Sequence, residues 1–206
     1  MIKAVIFDYG NVISLNPGRK VYEKLAAVAG VDAQIFIDAF HVSRKEFDLG
    51  LIDGKTLYHD ILLHAGRPDL AENRELCEEL ALIDIHNWVD CDPIATQWAL
   101  ELKKIYKLGV LSNMPEDFLR YHENDIEVFQ AAHHCVFSCR VGLIKPDEKI
   151  YRIALDNLGV KADEAVFFDD LPQNIEAANK LGIHGVIWEN VHQAKRDFEK
   201  ILAETR

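Results

Sequence analysis

The chain has 206 residues, 49% of them apolar, with a formal net charge of −11. That is enough for one full domain plus a smaller appendage, and it argues against a disordered or membrane-spanning chain. The negative charge argues against a nucleic-acid backbone or an anionic membrane surface as main partner, because the long-range field repels both; a small phosphorylated molecule stays possible, since a local cation can invert the field inside one cleft.

The first apolar run, KAVIF at 3 to 7, reads as a buried strand that ends in Asp8, with Gly10 two positions on. Asn16 and Pro17 are expected as N-cap and first residue of a helix with Val21, Leu25 and Val28 on one face, stopped by Gly30. Asp32 is expected to cap a second helix, in which Phe36, Phe40, Ser43 and Phe47 recur at helical spacing, and two more helical patterns follow from Thr56 and Asp69. The aromatic stripe is assigned to a core rather than to a substrate pocket. An excursion of about 90 residues before the next strand is far longer than a usual crossover. Residues 15–88 are therefore expected to form an all-helical cap inserted into a core made of 1–14 and 89–206.

Beyond the insertion, Pro93 behind Asp92 opens a helix over 94 to 104. Strands are expected at 106–112, 134–138, 165–169 and 184–188, with helices at 147–158, 171–181 and 192–202 between and after the later ones. Short apolar strands joined by helices predict an α/β, Rossmann-like parallel sheet covered on both faces. The cysteines, Cys77, Cys91, Cys135 and Cys139, show no paired metal spacing, and the N-terminus shows no leader pattern, so a reducing cytoplasm is the expected compartment. His133, His134, Cys135 and Cys139 lie close together, but CVFSC alternates like a strand and is assigned to packing rather than to zinc.

In an open parallel sheet, ligands bind beyond the carboxyl ends of the strands. Those positions carry Asp8, then Ser112 and Asn113, then Lys145 in GLIKPDEKIY, then Asp169 and Asp170 with Asn174 a turn later. Turn and cap chemistry explains any one of these but not the set. Gathering Asp8 with the Asp169/Asp170 pair is opposed by like-charge repulsion unless a divalent cation or a proton is taken up, and hard oxygen ligands suit Mg²⁺. With the metal and the Lys145 ammonium neutralising phosphoryl oxygens, Asp8 can attack phosphorus in line, and Ser112 with the following backbone N–H groups can donate to the transferring group.

FDYGNV, VLSN, the lysine of VGLIKPDEKIY and VFFDDLPQN resemble the four motifs of the haloacid dehalogenase superfamily of hydrolases. The resemblance runs from Asp8 to Asn174, and the helical insert is similar to that family's C1-type cap. Within the superfamily the segments look most like small sugar-phosphate phosphatases of the bacterial α-D-glucose-1-phosphate type and the phosphatase domain of soluble epoxide hydrolases. It implies Asp8 as nucleophile and Mg²⁺ bound by Asp8, the Gly10 carbonyl and Asp170, with Asp169 beside the metal orienting its shell or Lys145. Ser112, Asn113 and Lys145 would meet the substrate phosphate, and the cap would select the organic part of a small phosphorylated metabolite. A monomer or homodimer is expected.

One position departs from the pattern. Gly10 stands where most phosphatases of the superfamily carry a second aspartate, the acid for the leaving group and base for the water; His41, Asp48 and Asp53 are candidate cap replacements. Two alternatives remain beside the phosphatase: a metal-free dehalogenase with Asp8 attacking carbon, and a non-catalytic phosphate-binding or signalling protein that lost turnover through Gly10.

Overall fold

The computed structural model describes residues 1–205. Its centre is β1, Ala4–Phe7, whose four residues are all buried. Such a strand must be covered on both faces, and the alternation of side chains shows how. Val5 and Phe7 point into one apolar layer, together with Leu108, Val110, Val166 and Phe168. Ala4 and Ile6 point into the other, with Leu111, Ala165 and Phe167.

The sheet is entirely parallel, in the order β3-β2-β1-β4-β5, with β2 at Lys107–Ser112, β3 at His134–Phe137, β4 at Ala165–Asp169 and β5 at His184–Ile187. Phe7 pairs with Phe168 across the strands and stacks on it at 4.7 Å, while Trp98 meets Phe7 edge-on at 5.6 Å. Aromatic pairs of this kind add to plain area burial and pin the register of the two central strands.

Between β1 and β2 come α1 (Arg19–Ala29), α2 (Ala33–Ala39), α3 (Arg44–Asp48), α4 (Gly54–His64), α5 (Pro68–Ala71), α6 (Arg74–His86) and then α7 (Pro93–Leu102). The first six share an apolar cluster that contains no strand residue, including Leu25, Phe36, Phe40, Phe47, Leu57 and Leu80. The two crossings between insertion and sheet lie side by side: Ser14 bridges Cys91 in antiparallel fashion, Leu15 N–H donates to the Asp90 carbonyl at 2.8 Å and Asp92 N–H to the Ile13 carbonyl at 2.8 Å. After β2 come α8 (Glu116–His122), α9 (Glu127–Ala131), α10 (Ser138–Val141), α11 (Glu148–Leu158), α12 (Pro172–Lys180) and α13 (Val191–Glu204).

Several expected details differ. The first helix begins at Arg19, because the Asn16 side chain accepts the Gly18 N–H at 2.7 Å and holds a local turn, and Gly18 takes a positive φ of 68° as N-cap. Val28 is 37% exposed, since the buried stripe of α1 is centred on Leu25 and Ala29 and leaves Val28 at its edge. The helix expected through Ser43 is broken there: Ser43 adopts φ 55°, its hydroxyl donates to Asp60 at 2.7 Å, and α3 starts afresh. Phe36, Phe40 and Phe47 are buried regardless. From Asp69 there is only the single turn α5; Asn73 caps the long helix α6, its side chain accepting the Leu76 N–H at 3.1 Å. The short helices α8, α9 and α10 have too few turns to show a period in the sequence. Among the described residues no helix is long and apolar enough to cross a membrane, and all four cysteines are free.

Candidate active site

Because β1, β2 and β4 are adjacent, the residues at their carboxyl ends converge. Asp8, directly after β1, accepts its neighbour's Tyr9 N–H on Oδ1 at 2.7 Å and meets Lys145 Nζ on Oδ2 at 2.8 Å. Lys145 Nζ also reaches Asp169 Oδ2 at 2.6 Å. An ammonium that is 3% exposed is tolerable only because two carboxylates surround it. Its backbone is fixed by Asn113, whose Oδ1 accepts the Lys145 N–H at 2.8 Å and whose Nδ2 donates to the Lys145 carbonyl at 3.1 Å. The Asn113 side chain thus clamps the lysine loop to the end of β2, where the buried Ser112 lies beside Asp8.

Asp169 is fully engaged. Oδ1 accepts Leu171 N–H at 2.9 Å and Asn174 Nδ2 at 2.9 Å, while Oδ2 takes the same amide at 3.0 Å besides Lys145. Tyr151 in turn donates its hydroxyl to the Asn174 carbonyl at 3.0 Å. Asp170 is half-buried and accepts Asn11 Nδ2 at 2.9 Å. Carboxylate oxygens of Asp8, Asp169 and Asp170 lie within 4.8 Å of one another.

Burial pushes the Asp8 carboxyl up to about 7, with the Asp169 charge adding to it and Lys145 and Ser112 opposing it. Asp170 is raised as well, chiefly by burial, against the pull of its Asn11 hydrogen bond. For Lys145 burial disfavours the charge, but the two carboxylates outweigh it and hold the ammonium above its ordinary range. Three carboxylates against one ammonium leave the cluster short of positive charge, so its donor set fits a hard divalent cation. The Gly10 carbonyl accepts no hydrogen bond among the described residues.

Beside the cluster is a cavity of about 100 Å³, lined by Gly10, Ser112 and Asn113 of the core, by Arg44 and Asp84 of the insertion, and by apolar walls that include Phe47 and Trp88. The cap residues singled out from the sequence are not in its lining. His41 is exposed, edge-on to Phe40. Asp53 caps α4, accepting Thr56 N–H at 2.8 Å and Thr56 Oγ1 at 2.7 Å. Asp48 is engaged in an ion pair with Arg44 at 3.3 Å. Replacing Asp53 with alanine should therefore lower stability by about 1 kcal/mol, measured by chemical denaturation, and leave turnover unaltered.

Three residues at the site are not among those singled out from the sequence. Asn11 sits at φ 59° directly after Gly10; asparagine is one of the few residues tolerated in that region, which was its only signal. Asp84 occupies the apolar stripe of α6 with Cys77, Leu80, Ala81 and Ile85, and a carboxylate on a buried helix face was a readable sign. Arg44, its partner 40 positions away, offered none.

A model of the haloacid dehalogenase-like hydrolases matches residues 2–182. Flavin mononucleotide hydrolase 1 of Arabidopsis thaliana is 23% identical over 198 residues, covering 96% of this chain and 76% of that one. Bifunctional epoxide hydrolase 2 of Mus musculus is 37% identical over 75 residues, which are 36% of this chain and only 14% of the relative. The chain thus corresponds to a small part of that much longer protein. A haloacid dehalogenase-family enzyme from Bacteroides thetaiotaomicron superposes with a TM-score of 0.73 at 17% identity, covering 96% of this chain and 98% of that one. Another structure of that enzyme, in complex with magnesium and inorganic phosphate, gives 0.69 at 18% identity over 91% and 94%. The match of the family model to nearly the whole chain, on a sheet whose strand ends gather Asp8, Lys145, Asp169 and Asp170, identifies the protein as a member of the haloacid dehalogenase-like hydrolases.

Proposed function

We propose that the protein is a Mg²⁺-dependent phosphomonoester hydrolase acting on a small cytosolic metabolite, such as a sugar phosphate, with residues 15–88 as the cap that meets the organic part. The observation that carries this reading is Asp8 itself: a strand-end carboxylate, nearly buried, 2.8 Å from a buried lysine and inside a cluster of three carboxylates. A buried charge set of that cost needs a use, and phosphoryl transfer supplies one. The relatives named for hydrolysing flavin mononucleotide and validoxylamine A 7'-phosphate point the same way.

Asp8, Asp170 and the Gly10 carbonyl would hold the Mg²⁺, which when bound offsets the charge of the phosphoryl oxygens. Asp169 holds Lys145 in place, and Lys145 and Ser112 face the transferring group. Asp8 Oδ attacks phosphorus, the bond from phosphorus to the ester oxygen breaks, and the leaving oxygen takes a proton from water, since Gly10 offers no carboxyl to supply it. Water then attacks the aspartyl phosphate, releasing inorganic phosphate and restoring Asp8. Asn113 acts at one remove, by clamping the Lys145 backbone and presenting its own backbone N–H near the phosphate.

The test is hydrolysis of p-nitrophenyl phosphate and a panel of sugar phosphates with Mg²⁺ and with EDTA. Turnover should require the metal, and Asp8→Asn should reduce it by at least about a thousandfold, as for loss of other catalytic nucleophiles. Turnover indifferent to EDTA or to Asp8→Asn would sink the proposal.

A further inference from the structure

Arg44 and Asp84 bring a second polar group to the cavity that Gly10 and Ser112 line. Arg44 Nη1 lies 3.3 Å from Asp84 Oδ2 and Arg44 Nε 3.3 Å from Asp48 Oδ1, with the guanidinium 5.2 Å above the Phe47 ring. Two carboxylates on one guanidinium give the group a net charge of −1. Asp84 is 2% exposed; its Oδ1 makes no hydrogen bond of ordinary length, and the buried Tyr58 hydroxyl, likewise without one, lies near enough to the Asp84 carboxylate to donate to it. Tyr58 supplies one proton at most, so this buried carboxylate keeps acceptor capacity for a further donor.

A ligand hydroxyl fits this arrangement: its O–H donates to Asp84 Oδ1 and its lone pair accepts from a free N–H of Arg44. A carboxylate or second phosphate does not, because it offers no proton to Asp84 and meets a net negative group. The cavity, at about 100 Å³, is well below the roughly 300 to 1,000 Å³ of drug-sized sites, so the part recognised is small. We propose that Arg44 and Asp84, with Asp48 paired to Arg44 outside the lining, form a hydroxyl-selecting subsite, which makes the preferred substrates small uncharged polyol phosphates. This deepens the phosphatase reading and rests on it.

Three esters with comparably poor leaving groups test it in the presence of Mg²⁺: glycerol 3-phosphate, propyl phosphate and 2-phosphoglycolate, with p-nitrophenyl phosphate as activity control. The wild-type protein should prefer glycerol 3-phosphate to both others in kcat/KM. Asp84→Asn should reduce its preference over propyl phosphate by about ten- to a hundredfold, through KM rather than kcat, the effect of one hydrogen bond to a charged group. The same variant should improve 2-phosphoglycolate relative to propyl phosphate, because the triad becomes neutral. A merely structural role for Asp84 would reduce all esters together, and that outcome, or an unchanged ratio, overturns the proposal. Should Asp84→Asn fail to fold, Asp48→Asn removes the same charge and should improve 2-phosphoglycolate in the same way; a wild-type preference for propyl phosphate or 2-phosphoglycolate overturns the proposal without any variant. If p-nitrophenyl phosphate is hydrolysed while these ratios fail, only the subsite falls; if no ester is hydrolysed, the phosphatase reading falls and the subsite with it.

Discussion

Gly10→Asp is expected to accelerate hydrolysis of esters with poor leaving groups by about 10² to 10⁴, the usual contribution of a positioned acid or base. An activated aryl phosphate, whose leaving group departs without a proton, should change little. The backbone permits the change. Gly10 is not among the residues of positive φ, and a Cβ built on it meets only Trp88 Cζ3, at an ordinary 3.7 Å. The loop disruption that a strained glycine would entail therefore does not arise. The new carboxyl would enter the cavity that also holds Ser112 and Asn113, on the side of the transferring group. The measurement is kcat for a sugar phosphate and for p-nitrophenyl phosphate in both proteins. Equal acceleration of the two, or none of either, would show that protonation of the leaving group is not what Gly10 withholds.

Lys145→Met should be the most damaging substitution for stability. It keeps the length of the stem and removes the cation that lies 2.6 Å from Asp169 and 2.8 Å from Asp8. Breaking a buried ion pair from one side costs about 3 to 5 kcal/mol, because the other charge stays buried and uncompensated. For a chain of this size that corresponds to a fall in Tm of roughly 10 °C, read by circular dichroism in EDTA. Mg²⁺ should restore more of the Tm in the variant than it adds to the wild type, since the carboxylates then lack their other counter-charge. Acidification in EDTA should also narrow the deficit. The Asp8 carboxyl is raised by burial from 3.8 to about 7, so the folded chain holds that proton more tightly than the unfolded one, and stability gained from it is present at low pH and lost as pH rises towards 7. An unchanged Tm in EDTA would contradict the assigned role of the lysine.

Much of the site was legible because chemistry in a parallel sheet is concentrated at strand ends. Asp8, Ser112, Asp169 and Asp170 each end or follow an apolar run of four to six residues, and such runs are short, bounded and unlike surface helices. Lys145 stands beyond α10 and not at a strand end, so its own position said little and it was read from the company of the other three strand ends. The polar group of the cap was harder to see. Arg44 belongs to a five-residue helix that begins at a left-handed Ser43, and the stripe of Phe36, Phe40 and Phe47 disguised the break by keeping helical spacing across it. Periodicity records which residues are buried, and burial survives a kink that redirects the chain. The partnership of Arg44 with Asp84 is set by tertiary packing across 40 positions, which no local pattern reports.

The antiparallel contact of Ser14 with Cys91 means that the six-helix insertion leaves and rejoins the sheet through one paired stalk. Chain inserted between two points that already touch adds little strain to its host, and doubling its length costs only about 0.6 kcal/mol in closure entropy. Asp8, Lys145 and Asp169 are held from the other side of that stalk, by β1, β4 and the lysine loop. On the proposed reading, selectivity and chemistry are therefore separately exchangeable: a different helical unit grafted between Ser14 and Cys91 is expected to keep the reaction and redirect it to another substrate.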